Sequence, residues 1–225
     1  MVKSGLFTRP AALMSCIVAL VSLLIFAAVS QAAALPAVGA IHEIRSGTIS
    51  VQKDGSWHPA AVGDIIFSHD RVRTDASGTA VLRLDKIGKF LIGPNTEYTV
   101  GEDRKNFKTI LHRGYVWFKS AFVSGARVEI SSGNAVAGTR GTKFSVLSDS
   151  EGVEVCTCKG AVDARAADGK AVVVGKGMYA VVLKNGIVSS PSKGKALIDK
   201  VWQEKTGRYT PCLLCHVKGK KPLDL

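Results

Sequence analysis

Aromatic side chains are scarce in this 225-residue chain, at 7%, whereas glycine is frequent, with 23 residues. This balance favours many short strands and turns over a helical bundle. Hydrophobic residues make up 46% and charged residues 21%, close to ordinary globular usage, which excludes a wholly disordered or collagen-like chain. The length suits one sizeable domain with a short appendage, and it excludes two full-sized catalytic domains.

Motifs of the common hydrolases and nucleotide-binding enzymes are missing from the sequence. The chain contains no Gly-x-Ser-x-Gly, no His-Glu-x-x-His and no phosphate-binding P-loop. His69 is followed directly by Asp70, but an acid beside a histidine in a predicted turn is usually solvated. The sequence therefore predicts a protein that is not an enzyme.

The first 34 residues predict an export signal. Lys3 and Arg9 precede a run without charge at residues 11–29, and the small-residue stretch SQAAA follows at residues 30–34. This order is typical of a secretory signal peptide cleaved near Ala34. An uncleaved anchor is the alternative, because about 19 apolar residues can just span a bilayer. Both interpretations predict an exported, periplasmic protein, and only an uncleaved segment would anchor it in the inner membrane.

Acidic residues are outnumbered, 18 against 30 Lys and Arg, which gives a formal net charge of +12. The excess is concentrated in the tail, residues 191–225, where eight Lys or Arg stand against Asp199, Glu204 and Asp224. Because the chain is exported and carries no basic motif interleaved with aromatics, nucleic acid is not expected as a partner. The tail predicts contact with an anionic envelope surface or an acidic partner, with a solvated basic face as the alternative.

The middle of the chain, residues 41–188, has the two-residue period of β-strands. Val116 and Phe118, for example, stand on either side of Trp117. Turn signals such as Asp168-Gly169 separate these runs and suit hairpins. About a dozen short strands at roughly ten-residue spacing predict an all-β sandwich, barrel or β-roll. One short amphipathic helix is expected after it, near residues 195–204.

Several blocks in this region, taken in order, resemble the FecR domain. The blocks are VGDII (62–66), VRT (72–74), GTAVLRL (78–84), LIGPNT (91–96), LHRGYVWF (111–118), VAGTRGTKF (136–144), VEV (153–155) and KGAV (159–162). The resemblance covers about residues 41–182 and implies a single periplasmic β-sandwich or β-roll-like module that binds a ligand or partner. In the founding system the domain relays a receptor signal to a cytoplasmic sigma-factor regulator. Only residues 1–10 precede the apolar segment here, so anti-sigma activity is not expected.

The tail contains the one chemically specific motif of the sequence. Cys212 and Cys215, followed directly by His216, form the C-x-x-C-H pattern of c-type haem attachment. Thiols at this spacing reach both vinyl groups of one haem, and the adjacent imidazole presents a nitrogen to the iron. Export agrees with this chemistry, since such haems are attached outside the cytoplasm. The motif predicts one haem c bound through Cys212 and Cys215, with His216 as the metal ligand.

A second cysteine pair leaves alternatives open. Cys156 and Cys158 are two residues apart on a predicted strand and so share a face. Together with the tail cysteines they could form two disulfides, or a tetrahedral metal site whose ligands are either all four thiolates or three thiolates and His216. The tail is too short to enclose a haem, so the β-domain, another haem protein or a second copy must form its other wall. Candidate sixth ligands of the iron are Met178, His42, His58, His69 and His112.

The residues and the resemblance together predict a non-catalytic, exported FecR-like protein of the cell envelope. It is expected to bind a ligand or an envelope partner, in signalling, and to carry a single haem. One alternative is a periplasmic c-type cytochrome-like electron-transfer protein that docks on a redox partner. The other is a haem-free structural module whose tail cysteines are disulfide-bonded.

Overall fold

The computed structural model describes residues 35–121, 127–140, 142–186 and 188–193. Contacts divide the chain into two units, Met1–Leu35 and Pro36–Leu225, and all described residues except Leu35 belong to the second. Regular structure in the described part is entirely β, which confirms the predicted all-β class. No helix there is long and apolar enough to cross a membrane. The predicted export signal, the C-terminal helix and the C-x-x-C-H motif lie outside the described residues.

The described residues form seventeen strands. They are β1 (Ala37–Ser46), β2 (Ile49–Lys53), β3 (Ser56–Pro59), β4 (Ile65–Phe67), β5 (Arg71–Thr74), β6 (Thr79–Leu84), β7 (Gly88–Ile92), β8 (Glu97–Thr99), β9 (Asn106–Ser120), β10 (Arg127–Ser132), β11 (Ala135–Arg140), β12 (Lys143–Ser148), β13 (Gly152–Lys159), β14 (Ala161–Ala166), β15 (Ala171–Gly175), β16 (Met178–Leu183) and β17 (Ser192–Lys193). The expectation of about a dozen strands was too low, because strands as short as β4, β8 and β17 do not show a readable alternation.

Backbone pairing arranges the strands in two sheets that share β9. Sheet A has the order β4-β1-β6-β7-β9-β12-β13-β16-β17. Sheet B has the order β3-β2-β5-β8-β9-β10-β11-β14-β15. Every pairing is antiparallel except that between β9 and β10, which is parallel. An antiparallel sheet can pack one face on the core and keep the other in water. The inner faces of both sheets must therefore be apolar, whereas their outer faces can differ.

Strand β9 passes from sheet B to sheet A at Gly114. Residues up to Arg113 pair with β8, and residues from Gly114 onward pair with β12. Gly114 has φ 89°, and a Cβ atom on it would lie 2.5 Å from the Cα of Thr96, so only glycine fits this bend. Thr96 fixes the crossing, because its Oγ1 accepts a hydrogen bond from the Tyr115 N–H at 2.9 Å. The bend positions the second half of β9 at the centre of sheet A.

The main core lies between the inner faces of the two sheets. Phe90 of sheet A packs with its ring centroid 5.8 Å from those of Tyr98 and Phe107, which sheet B contributes. Phe118 lies 4.7 Å from Phe90 on the sheet A side and extends the aromatic cluster to Phe144. These rings are at most 1% exposed, so most of the apolar area that stabilises the fold is buried between the sheets.

Candidate functional site

Strand β9 is buried on both of its faces in sheet A. Val116 and Phe118 belong to the main core, so the alternation of the strand directs Tyr115 and Trp117 away from it. Trp117 is nevertheless only 1% exposed and Tyr115 only 3%. Both therefore belong to a second apolar cluster, on the outer face of sheet A.

Strand β13 shows the same double burial. The Thr157 hydroxyl donates a hydrogen bond to the carbonyl of Val174 in sheet B at 2.8 Å, so Thr157 points inward. Cys156 and Cys158 consequently point outward, on one face, as their spacing predicts. Both are buried, and no disulfide joins the two. The cysteine pair thus lies on the same outer face as Trp117.

Cross-strand register aligns these side chains in a row across sheet A, which we call the apolar row. Its members, on neighbouring strands, are Val81, Leu91, Trp117, Ser145, Cys156 and Tyr179. All but Tyr179 are buried. The outward face of an antiparallel sheet is ordinarily polar when water covers it. The apolar row instead has the composition of a protein core, although it lies on an outer face.

The indole of Trp117 adds a polar requirement to this face. Its Nε1 is buried and has no hydrogen-bond partner among the described residues. A buried indole N–H normally finds an acceptor, because an unpaired one costs about 1–3 kcal/mol. Glu154, only 3% exposed, places a buried carboxyl on the same outer face of β13. The outer face of sheet A therefore combines apolar area with an indole N–H that has no acceptor among the described residues.

A row of cations borders the apolar row, two residues along each strand and three along β13, where the register shifts. This basic row consists of Arg83, Lys89, Lys119, Lys143 and Lys159. Each member is the direct cross-strand partner of the next. Arg83 and Lys159 are exposed, and the three lysines between them are half-buried. One end of the outer face of sheet A is therefore strongly positive.

The outer face of sheet B is built differently, with charges of both signs in contact. Glu129 pairs with Arg127 at 3.1 Å and with Arg165 at 3.4 Å. Glu97 accepts a hydrogen bond from Arg71. A cleft of about 730 Å³ opens on this face, and Glu129 and Arg127 are among its lining residues. Because its cations and carboxylates neutralise one another, this face has the composition of a solvated surface.

The histidines singled out as sixth-ligand candidates are exposed, and two of them have partners. His69 Nε2 lies 3.0 Å from a Glu102 carboxylate oxygen, and His112 Nε2 lies 2.8 Å from Thr99 Oγ1. Asp70 does not engage His69: its carboxylate accepts a hydrogen bond from the Phe67 N–H at 2.9 Å. Burial raises the pKa of Asp70. The acidic partner of His69 is therefore Glu102 and not the neighbouring Asp70.

The predicted haem residues, Cys212, Cys215 and His216, lie outside the described residues. Within the described ranges, no group of three or more His, Cys, Asp or Glu side chains could hold a metal ion. The apolar row and the basic row were not foreseen from the sequence. A signal for the apolar row exists in the strings YVWF and VEVCTC, where both phases of the alternation are largely apolar, as in strands buried on both faces.

Comparisons with known proteins agree with the predicted resemblance over part of the chain. A family model described as FecR protein matches residues 70–163. Two crystal structures of a candidate anti-sigma factor from Parabacteroides distasonis ATCC 8503 match with a TM-score of 0.51 and 13% sequence identity. The match covers 59% of this chain and 63% of that protein, less than two thirds of its length. At this identity the likeness shows the fold alone. No curated protein matches the sequence.

Proposed function

We propose that this chain is a non-catalytic signalling protein of the cell envelope that binds a partner and carries one covalently attached haem c. The apolar row carries the structural part of the proposal. It is an aromatic outer face that is already buried within this chain, with a Trp117 N–H that lacks an acceptor among the described residues. The match of residues 70–163 to the FecR family supports a binding or signalling module rather than an enzyme.

The haem part of the proposal rests on the tail motif. The Cys212 and Cys215 thiols each add across one vinyl group of the same haem, and His216 supplies an axial nitrogen to the iron. The apolar segment at residues 11–29 supports export to the compartment where this attachment occurs. The tail alone cannot enclose a haem, so the macrocycle requires an apolar wall from elsewhere.

The outer face of sheet A is the wall that we assign to it. Strand β17 is the edge of sheet A, and its Ser192 is the register partner of Tyr179, the last member of the apolar row. The chain therefore leaves the described region beside this row, with residues 194–225 still to follow. In this proposal the tail, with its haem, is the occupant that covers the apolar row.

An absorption spectrum of protein isolated from the periplasm tests the haem. We expect Soret and α bands that survive acid-acetone extraction, and an intact mass that includes one macrocycle. The double variant Cys212→Ala/Cys215→Ala should lose the bands while the β-domain stays folded. A mass equal to that of the bare chain would remove the haem and favour the haem-free module.

The position of the tail is tested by the reactivity of Cys156 and Cys158. The haem-bound protein and the double tail variant have the same two thiols in the β-domain, and the tail adds none in either, because thioethers do not react with thiol reagents. If the haem-bearing tail covers the apolar row, Cys156 and Cys158 should react several-fold faster with a bulky thiol reagent in the variant. Equal rates in the two proteins would place the tail elsewhere.

Electron transfer is the second function that the motif supports. The tail from residue 191 carries eight Lys or Arg, and a basic patch of this kind steers association with an acidic redox partner. Reduction of the haem by a donor protein at a rate that falls as ionic strength rises would favour electron transfer over signalling. A rate independent of ionic strength would leave signalling as the function of the haem.

A further inference from the structure

The two cysteines of β13 form a pair of soft ligands to which the proposed function gives no chemical role. Cys156 and Cys158 lie on the same outer face of sheet A, and successive side chains on one face of a strand are about 6.7 Å apart. Rotation about their Cα–Cβ bonds can bring the two sulfur atoms to opposite sides of a single metal ion. Cys156 is 0% and Cys158 6% exposed, and no disulfide joins them.

A β-bulge lies at the cysteine pair. In the pairing of β12 with β13, Phe144 is opposite Thr157 and Lys143 is opposite Lys159, so Cys158 is an additional residue on β13. A bulge bends its strand and redirects a side chain, and bulges are frequent next to functional sites. The side chain of Cys158 belongs to the second apolar cluster, on the outer face of sheet A.

The residue between the two cysteines is fixed from the inner side of the sheet. The Thr157 hydroxyl donates a hydrogen bond to the Val174 carbonyl, and the Thr157 carbonyl accepts one from the Gly177 N–H, both at 2.8 Å. Both thiols are therefore attached to a stretch of β13 whose position is set by other strands. A rigid support of this kind lowers the cost of binding, because the ligands need little reordering.

The surroundings of the pair decide which ion it suits. Apolar and aromatic side chains share the cluster with the two thiols, namely Val81, Leu91, Tyr115, Trp117 and Leu147. Among the described residues, no third His, Cys, Asp or Glu side chain completes a metal-binding group with them. A structural zinc ion takes four ligands, whereas two thiolates without a hard oxygen ligand suit a soft monovalent ion such as Cu(I).

Positive charge lies beside the pair. A monovalent ion held by two thiolates has one net negative charge, and a buried charge is costly unless an opposite charge compensates it. Lys143 is opposite the bulge that contains Cys158, and its side chain is half-buried. This lysine therefore lies where it can offset the charge of the bound ion.

We propose that Cys156 and Cys158 form a two-coordinate site for Cu(I). Each thiol loses its proton to the solvent and each thiolate forms one bond to the ion, so no electron is transferred and the copper remains Cu(I). Cys158, the more exposed of the two and close to the end of β13, receives the ion first. This inference goes beyond the proposed function and does not depend on the haem.

Competition for Cu(I) in the absence of oxygen tests the site. The full chain, isolated from the periplasm and freed of loosely bound metal, is titrated with Cu(I) in the presence of the coloured chelator bicinchoninate. We expect the protein to withdraw Cu(I) from the chelator. X-ray absorption of the loaded protein should show two sulfur ligands and neither nitrogen nor oxygen. Failure to compete, or three or more ligands around the copper, would overturn the proposal.

Single variants identify the ligands. Cys156→Ala and Cys158→Ala should each weaken Cu(I) binding by more than about 100-fold, because even loss of an outer-shell partner of a metal ligand costs about 10–100-fold. Cysteine packs as a small apolar residue, so we expect the alanine variants to keep the fold, which urea denaturation checks. Unchanged affinity in either variant would overturn the proposal, and X-ray absorption of the wild type decides the question where a variant does not fold.

The tail cysteines provide the matched control. Cys212→Ala/Cys215→Ala should still bind one Cu(I) per chain with the affinity of the wild type. Loss of Cu(I) from this variant would place the ion in a site shared with the tail and overturn the proposal.

The absorption spectrum of the same wild-type samples reports the haem separately. Haem bands without Cu(I) binding would remove the copper site and leave the proposed function intact. Binding of Cu(I) by the double tail variant, together with a wild-type spectrum that has no haem bands, would remove the haem and leave the copper site.

Discussion

The two outer faces of this domain differ although the two inner faces form a single core. On sheet B the exposed charges contact partners of opposite sign, as Glu129 does with Arg127 and Arg165. On sheet A the apolar row is almost completely buried, and the neighbouring basic row consists of cations only. Sheet B has the surface of a protein that faces water. Sheet A has an outer face that is apolar and buried along one row and positively charged along the next.

This difference between the outer faces indicates where a binding function is to be sought. Ion pairs on a solvated face contribute little and recruit nothing, because their charges are already neutralised. Like charges on neighbouring strands, and a buried indole N–H without an acceptor among the described residues, each cost stability that a contacting group can recover. The asymmetry between the faces therefore points to sheet A as the interaction surface.

The largest loss of stability is expected from Trp117→Ala on the outer face of sheet A. Removal of a fully buried tryptophan costs about 3–5 kcal/mol, because contacts are lost and a cavity remains. The free energy of unfolding should fall by that amount in urea denaturation. Ile110→Ala on the outer face of sheet B, where the side chain is 45% exposed, should stay within about 0.5 kcal/mol of wild type. Similar losses for both variants would erase the distinction between the faces.

The next largest loss of stability is expected at the connection between the two sheets, where Asp75 lies. Asp75 follows β5 of sheet B, and its carboxylate accepts hydrogen bonds from the Thr48 N–H at 2.8 Å and the Ser77 N–H at 2.9 Å. The hydrogen bond from Thr48, followed by those from Ser77, holds the pKa of Asp75 below its usual range. Asp75→Ala should cost about 1–2 kcal/mol at neutral pH, since an anchoring acceptor is lost.

The pH dependence of that loss has a defined sign. A depressed carboxyl pKa in the folded state stabilises the fold above the unfolded value of about 3.9, and this stabilisation is lost as the pH falls through the folded pKa. Denaturation curves of wild type and Asp75→Ala should therefore converge in acid. A stability gap that is constant from neutral pH to strong acid would show that the charge of Asp75 is not what connects the turn to Thr48.

A smaller loss is expected when the ion pairs of sheet B are broken. Glu129→Gln removes the charge that Arg127 and Arg165 share, and the Glu129 side chain is only 17% exposed. The free energy of unfolding should fall by about 1 kcal/mol at low salt and by less at high salt, because screening weakens partly exposed pairs. An unchanged free energy of unfolding would mean that these ion pairs do not stabilise the fold.

Much of this architecture could be predicted from the sequence, because alternation is a local property. Val116 and Phe118 do face the core on either side of Trp117, as the two-residue period predicts. Arg113-Gly114 has the composition of a turn, whereas the structure shows a bend within one strand there. Local signals thus identified the strands and the all-β class, but they undercounted the strands of two to four residues.

The basic row could not be predicted, because it depends on register between strands far apart in the sequence. Its members extend from position 83 to position 159, and each reads as a solvated lysine or arginine in its own strand. A register shift between Lys143 and Phe144 places Lys159 opposite Lys143. Bulges of this type change which residues meet and leave no reliable mark in a single sequence. The haem motif, by contrast, is entirely local, and it remains a prediction.

The smallest effect, and the one with the opposite sign, is expected from a single lysine of the basic row. Lys143 lies between Lys119 and Lys159 in register, so Lys143→Gln removes the repulsion between its ammonium group and those of the two neighbouring lysines. The isolated protein should gain about 0.3–0.5 kcal/mol of stability at low salt, and the gain should vanish at about 1 M salt. Lys108→Gln is the matched control, because Lys108 lies beside Glu129 and should lose stability slightly or not at all. A loss of stability in Lys143→Gln would mean that the basic row is already neutralised within the chain, and the contrast between the two outer faces would then rest on the apolar row alone.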